Sequence, residues 1–181
     1  MRPMRIPLGL VIACLVCACA GASTSTFVVA VGASGALPTW SGACDTARAT
    51  SSAVRVDADG FAATAPGDVV LACARGRLRL EARAVARLAI EGPEEFGPAF
   101  ASYRVVAFDA SGERLDLADA SVAWTLPDAV ERGSACHGEM IPSCDPPSAA
   151  RLRRRGPGDG AIAIEVAFAG VHATRTFSGE R

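Results

Sequence analysis

Apolar and polar residues alternate along much of this chain, most clearly in the stretch Arg77–Ala84. There, Leu78, Leu80 and two alanines occupy every second position, and the residues between them are charged. A period of two places successive side chains on opposite faces of an extended chain, so the stretch is predicted to be a half-buried strand. Ile162–Phe168 alternates in the same way. No window combines a helical period with caps, so the chain is predicted to be all-β.

Further short apolar runs are bounded by glycine and proline and are also predicted to be strands. They are Phe27–Val31, Val69–Cys73, Ser102–Phe108, Val122–Leu126 and the segment 171–177. Ala169–Gly170 is predicted to be a hairpin turn. The polar segment Pro127–Pro147 is predicted to be a loop, and Arg151–Arg155 a basic strand or sheet edge. Short alternating strands separated by turns favour two sheets packed face to face.

An eight-residue motif occurs twice, at Val28–Gly35 and at Val105–Gly112, with six identities. Each copy is an apolar run that ends in Ser-Gly, which predicts a strand entering a tight turn. A tryptophan, a Pro-Gly-Asp turn and a hairpin glycine follow each copy in the same order. They lie at Trp40, Pro66 and Gly76 in the first copy, and at Trp124, Pro157 and Gly170 in the second. We interpret this order as two related modules.

The second module carries Ala-Phe-Asp-Ala-Ser-Gly-Glu at 107–113, Val-Ala-Trp-Thr at 122–125 and an alternating run at 158–166. This pattern resembles the bacterial immunoglobulin-like domains of group 2, which occur in adhesins of the invasin and intimin type. The resemblance implies an immunoglobulin-like β-sandwich, with a partial module at 27–84 and a fuller module at 85–181. It also implies a non-enzymatic spacer or adhesion unit. Trp40 and Trp124 are expected in the cores of the modules.

The composition excludes several kinds of chemistry and favours a folded body. Half of the 181 residues are hydrophobic, which is enough for a packed core. The net charge is −1, so nucleic acid is not an expected partner. All 18 basic residues are arginine, which excludes a Schiff-base lysine and a phosphate-loop lysine. No catalytic residue and no cofactor are predicted.

Residues 1–20 have the layout of a secretory signal peptide, with a cationic start, an apolar run and small residues before the body. Residues 21–26 are predicted to be a linker. The segment Val16–Cys19 resembles the lipobox of bacterial lipoproteins, which implies a lipid on Cys19 and a membrane tether. Cys14 at the end of Val11–Cys14, or cleavage after Ala20 without a lipid, are the alternatives. The expected location is the outer membrane or periplasm, or else the exterior.

Four cysteines remain after the leader, namely Cys44, Cys73, Cys136 and Cys144. In an exported domain an even set of this size predicts two disulfides, with three pairings open. We favour Cys44–Cys73 and Cys136–Cys144, one in each module.

Other candidate sites carry weak signals. Cys136-His137 with Cys144 fits no standard zinc spacing, so no metal site is predicted. Asp57-Ala58-Asp59-Gly60 opens like a calcium loop, but Asp68 stands where the loop requires glutamate. Arg151–Arg155 is a candidate surface for anionic glycan or lipid, against the alternative of a charged edge.

The expected partner is a protein or a glycan at the cell surface. Three functions remain open: a spacer or adhesion unit, an assembly subunit that accepts a partner's strand beside Phe27–Val31, and a small hydrolase or inhibitor with a cleft at His137. An unpaired sheet edge at Phe27–Val31 would favour the second function.

Overall fold

The computed structural model describes residues 23–46, 51–58, 60–137, 143–156 and 160–178. Over these residues the regular structure is sixteen strands and one 3₁₀ turn, Thr39–Ser41. The N-terminal strands are β1 Thr24–Gly35, β2 Cys44–Asp45, β3 Val54–Asp57, β4 Gly60–Ala63, β5 Gly67–Cys73 and β6 Gly76–Arg83. The C-terminal strands are β7 Arg87–Glu91, β8 Ala101–Phe108, β9 Arg114–Ala118, β10 Ala123–Thr125, β11 Val130–Arg132, β12 Cys136–His137, β13 Ser143–Cys144, β14 Ala149–Arg154, β15 Ile162–Phe168 and β16 Val171–Phe177.

The C-terminal strands form a two-layered sandwich. In one layer the strands run in the order β11-β14-β8, and β7 pairs with the other edge of β8. The second layer has the order β10-β15-β16. Seven antiparallel strands divided into layers of four and three, in this chain order, are the arrangement of an immunoglobulin constant-type sandwich. The predicted all-β, immunoglobulin-like fold is therefore confirmed.

Alternation explains why these strands face inward as they do. Ile164 and Val166 on β15 are buried, as are Tyr103 and Val105 on β8 and Leu152 on β14. The residues between them on β15, such as Glu165, are exposed. The rings of Phe96, Tyr103 and Phe177 then pack together at one end of this core, with centroids 5.0–5.7 Å apart.

The N-terminal strands form a smaller assembly with one full sheet. Its order is β2-β5-β6-β1, and β1 lies parallel to β6 over seven residue pairs, from Thr24 to Ala30. The opposite layer is the β3–β4 hairpin, which is held to β1 by pairing at Ser34 and Gly35. Phe61 on this hairpin meets Phe27 on β1 edge to face, at 5.9 Å between centroids. This set of strands is thus an incomplete sandwich.

The predicted turn after Val31 is wrong for the first copy of the repeated motif. In the second copy, Gly112 donates its N–H to the carbonyl of Asp109 in a turn beyond β8. In the first copy, Ser34 and Gly35 remain within β1 and pair with β4. The backbone instead bends at Gly32, whose φ is +92°. The two copies are therefore not equivalent in structure.

Two further predictions need correction. The segment Pro127–Pro147, predicted to be a loop, contains the short strands β11, β12 and β13. Arg151–Arg155 falls mainly on β14, which pairs with β11 on one side and with β8 on the other. The strand predicted for this run is therefore confirmed, but it lies inside its layer and not at an edge, because β11 pairs with its outer side.

Candidate functional site: the seam between the two groups of strands

The N-terminal and C-terminal strands meet along a contact zone that we call the seam. Its backbone component is a parallel pairing between β1 and β9, at Val29 with Asp116 and at Ser34 with Ala118. Between these two pairs lie four residues of β1 but only one of β9, so β1 bulges away from β9 there. Asp119 adds a hydrogen bond from its N–H to the carbonyl of Ser34, 2.9 Å. Backbone hydrogen bonds thus cross from one group of strands to the other.

The bulge in β1 makes room for an aromatic ring. A Cβ placed on Gly32 would lie 3.1 Å from the Phe168 ring and 3.9 Å from Ala169. Phe168 and Ala169 belong to the hairpin between β15 and β16. Glycine therefore serves two purposes at position 32, since it accepts the positive φ and lets the ring approach the backbone.

A cluster of charged side chains forms the polar component of the seam. Arg83, the last residue of β6, donates from Nε to Glu81 at 2.8 Å and from Nη1 to Asp109 at 2.9 Å. The same Nη1 also reaches Glu113. Asp109 and Glu113 lie in the loop between β8 and β9. Hydrogen bonds to three carboxylates raise the pKa of Arg83, so the guanidinium remains charged.

Asp109 organises the loop that Arg83 contacts. Its Oδ1 accepts hydrogen bonds from the N–H and the hydroxyl of Ser111 and from the N–H of Glu113, at 2.6–2.9 Å. The Ser111 hydroxyl first, and then Arg83, lower the pKa of Asp109 to about 2. The carboxylate is therefore ionised at every pH above the acid range, and it fixes the loop for contact with β6.

A groove with a volume of about 510 Å³ runs beside the seam. It opens where β9 leaves β8 to join β1. Its wall combines apolar and charged side chains from three strands and from the segment before β14. Residues that line it include Phe27, Val28, Arg104, Val106, Arg114 and Asp116.

Both favoured disulfides are present in the structure. Cys44 and Cys73 are directly opposite on β2 and β5, and Cys136 and Cys144 are opposite on β12 and β13. Each bridge therefore fastens one antiparallel pair of strands. Cys136 and Cys144, the cysteines near His137, form a disulfide with each other, so neither offers a thiolate to a metal.

The two tryptophans differ from expectation. Trp40 is 46% exposed, so the prediction that it lies in a core is wrong: it belongs to the 3₁₀ turn outside the sheets. Trp124 on β10 is half-buried and packs against the core, and its Nε1 is buried without a hydrogen-bond partner. The prediction that Trp124 lies in a core is therefore met only in part, because its side chain is not fully enclosed.

Several other predicted features lie outside the described residues. These are the leader with Cys14 and Cys19, the first two residues of the predicted linker, Asp59 of the calcium-like turn, and the Pro157-Gly158-Asp159 turn. The prediction that residues 21–26 form a linker is wrong for its second half, because Thr24–Thr26 belong to β1 and pair with β6. The basic run is partly neutralised, because Arg153 makes two hydrogen bonds with Glu131 at 2.8 and 3.0 Å. Arg154 donates to the carbonyl of Gly160. Arg151 and Arg153 also lie over the ring of Phe100.

Within the described ranges, no three histidine, cysteine or carboxylate side chains come together as a metal site. Over the same ranges, no helix has both the length and the apolar character needed to cross a membrane.

Sequence reasoning missed the Arg83 cluster. Asp109 and Glu113 belong to the motif that carries the family resemblance, but Arg83 was assigned only to the charged face of a strand. A useful signal was available, since Arg83 is the last charged residue of that strand and only three residues separate it from β7. A charged side chain at such a junction is well placed to contact the strands that follow.

The chain matches no protein-family model and none of the curated proteins. Among solved structures, it is similar to domains 4–9 of the surface layer protein SbsC, with 14% identity and a TM-score of 0.36. That match covers 85% of this chain and 30% of the SbsC chain, so this chain spans under a third of that structure. Domains 5–6 of the S-layer protein SbsC also match, with 14% identity, a TM-score of 0.37 and coverage of 84% and 92%.

The adhesin FdeC of Escherichia coli matches with 14% identity and a TM-score of 0.36, over 86% of this chain and 63% of that chain. The architecture described above rests on the strand pairings and not on these likenesses.

Substitution of Gly32 tests whether the seam depends on close packing. Gly32→Ala should destabilise the protein more than Gly112→Ala does. Both glycines have positive φ, which costs an alanine about 1–2 kcal/mol, but only the Cβ at position 32 meets a ring. Chemical denaturation of both variants measures the difference. Equal losses of stability would show that Phe168 contributes nothing at this contact.

Acid titration tests the loop formed by Asp109. Because folding lowers the pKa of Asp109 from its usual value of about 4 to about 2, this carboxylate stabilises the folded state above pH 4. That contribution should disappear as the pH falls from about 4 to about 2. Denaturation at a series of pH values should show a smaller acid loss for Asp109→Asn than for the parent. Parallel curves would contradict the assignment.

Proposed function

We propose that this protein is an exported, non-enzymatic envelope protein whose two immunoglobulin-like modules form a stiff spacer or adhesion unit. The modules are residues 27–84, which are incomplete, and residues 85–181. Its finer resemblance to the group 2 bacterial immunoglobulin-like domains is part of the same proposal. The observation that carries the proposal is the seam, because backbone pairing, ring packing and a charge cluster all join the two modules.

The direction of the strands supports a spacer. β6 ends at the seam with Arg83, so the parallel strand β1 begins at the other end of its module. β7 starts next to Phe108 at the seam and runs away from it. β16 also starts at the seam-facing hairpin, and Arg175 near its end donates to the carbonyls of Ile90 and Gly92, at the far end of β7 and just beyond it. The described chain therefore enters at one end of the molecule and leaves at the opposite end.

The cysteines support export. Two disulfides that staple short strand pairs are typical of proteins that fold in an oxidising compartment. A secretory leader would deliver the chain there, and if it is cleaved just before Cys19, a lipid on that residue would hold the body at the membrane of the cell envelope. The body would then extend away from that membrane and present its loops to a surface protein or glycan.

An assembly role, in which a partner's strand is accepted, remains the alternative. β1 is paired with β9 at Val29, but the groove lies along the same side of β1 at Phe27 and Val28. An extended segment could add there by backbone hydrogen bonds. This alternative predicts slowed hydrogen exchange at Thr24–Val28 when the partner binds, whereas a spacer predicts no change.

Replacement of Arg83 tests the stiffness of the spacer. Arg83→Gln should broaden the distribution of interatomic distances measured by small-angle X-ray scattering, because the modules lose the charge cluster that joins them. Arg79→Gln is the matched control, since Arg79 also lies on β6 but pairs with Asp68 inside the N-terminal module, at 2.9 Å. Identical scattering from all three proteins would argue against a stiff junction.

The intact mass of the exported protein tests its route and its tether. We expect a mass that lacks residues 1–18, carries a diacylglycerol on Cys19 and is lower by two hydrogens for each disulfide. A Cys19→Ser variant is the control and should lack the lipid. A chain that starts at Gly21 without lipid would contradict the tether but retain export. A mass that retains the whole leader would contradict both.

A further inference from the structure

Trp40 stands at the end of the molecule that lies farthest from the seam. The hairpin between β5 and β6 turns at Ala74 and Arg75, and Arg75 donates from Nη1 to the carbonyl of Trp40, 3.4 Å. Ser23, the first described residue, accepts a hydrogen bond at the same end from the N–H of Arg77, 3.0 Å. The exposed indole, two exposed arginines and the start of β1 are therefore neighbours.

The loop that carries Trp40 is firmly built. Ser41 is buried and donates its hydroxyl to the carbonyl of Pro38 at 2.7 Å. Its own carbonyl accepts from the N–H of Arg75, and the N–H of Ala74 donates to the carbonyl of Ala43. The disulfide Cys44–Cys73 then fastens the end of the loop to β5. An apolar ring on such a loop stays exposed because the backbone holds it there.

Few large apolar side chains are exposed in the described part of the chain, and Trp40 is the aromatic one, at 46%. An indole has an apolar body and a polar N–H, which suits the boundary between lipid headgroups and hydrocarbon. Arg75 and Arg77 are exposed at the same end of the molecule, and guanidinium groups pair with lipid phosphates. Asp45, the nearby acid on β2, has an interaction of its own.

The short segment between Cys19 and this end of the molecule indicates which surface the Trp40 end contacts. Three residues lie between Cys19 and Ser23, so the two are four steps apart along the chain. An extended chain spans about 3.3–3.6 Å per step, and their separation is therefore at most about 14 Å. A lipid on Cys19 would therefore hold the Trp40 end against the headgroups. This step rests on the lipid tether of the proposed function.

We propose that Trp40, with Arg75 and Arg77, forms a membrane-seating surface, on which the molecule rests against the anionic bilayer that holds its lipid anchor. The indole enters the headgroup boundary and the two guanidinium groups pair with phosphates. A tether alone would let the body swing freely, whereas this second contact sets the direction in which the two modules extend.

The test uses the full chain exported with its own leader, after its lipid has been verified by mass. The protein is reconstituted into vesicles of phosphatidylethanolamine and phosphatidylglycerol, with either ordinary or brominated acyl chains. Tryptophan emission should shift to the blue and be quenched by the brominated lipid. Trp40→Phe, which leaves Trp124 as the remaining indole, should lose the quenched component. Arg75→Gln should reduce the quenching, whereas Arg55→Gln, a control on β3, should not.

Each outcome bears on a different part of the proposal. Lipid-dependent quenching that disappears in Trp40→Phe supports the membrane-seating surface. If the protein is acylated but its emission is the same in both vesicles, the surface is excluded and the tether stands. If the mass shows no lipid on Cys19, the tether fails and the membrane-seating surface fails with it.

Discussion

The structure depends on the backbone hydrogen bonds of one strand, β1. This strand pairs with β6 along its first half, with β9 at Val29 and Ser34, and with β4 at its end. It can serve three neighbours because it bends at Gly32, where a positive φ is available without strain. Without β1, the sheet of the N-terminal strands would lose its backbone pairing with the C-terminal strands. The other contacts of the seam, made by Phe168 and Arg83, add to the backbone pairing of β1 with β9.

Much of the fold follows from local sequence. The alternation in Arg77–Ala84 and in Ile162–Phe168 corresponds to β6 and β15, because a strand with one buried face repeats its side-chain character every two residues. The disulfides were accessible through cysteine count and compartment, although register decided the pairing. The small strands β11 to β13 were missed because two or three residues carry too little periodicity to be recognised.

The seam was beyond the reach of such reasoning. The contacts of Arg83 with Asp109 and Glu113 join residues 26 and 30 positions apart, and their pattern is indistinguishable from an ordinary solvated face. The turn predicted at the end of Val28–Gly35 was wrong for a related reason. Similar side chains specify a strand in both places, but the partner strands decide whether Ser-Gly ends it, and those partners differ. Trp40 was misplaced because an aromatic residue is usually buried, whereas here the hydrogen bonds of its loop hold it outward.

The parallel alignment of β1 and β6 has a mechanical consequence. A pull on Ser23 in one direction and on Arg83 in the other would slide the two strands along each other. All seven of their residue pairs would then carry the force together, and they could not open one at a time as in a zipper. The disulfide between Cys44 and Cys73 would also prevent the segment between these two residues from extending under tension. The smaller and less complete half of the molecule is thus arranged to resist a force that pulls its two ends apart.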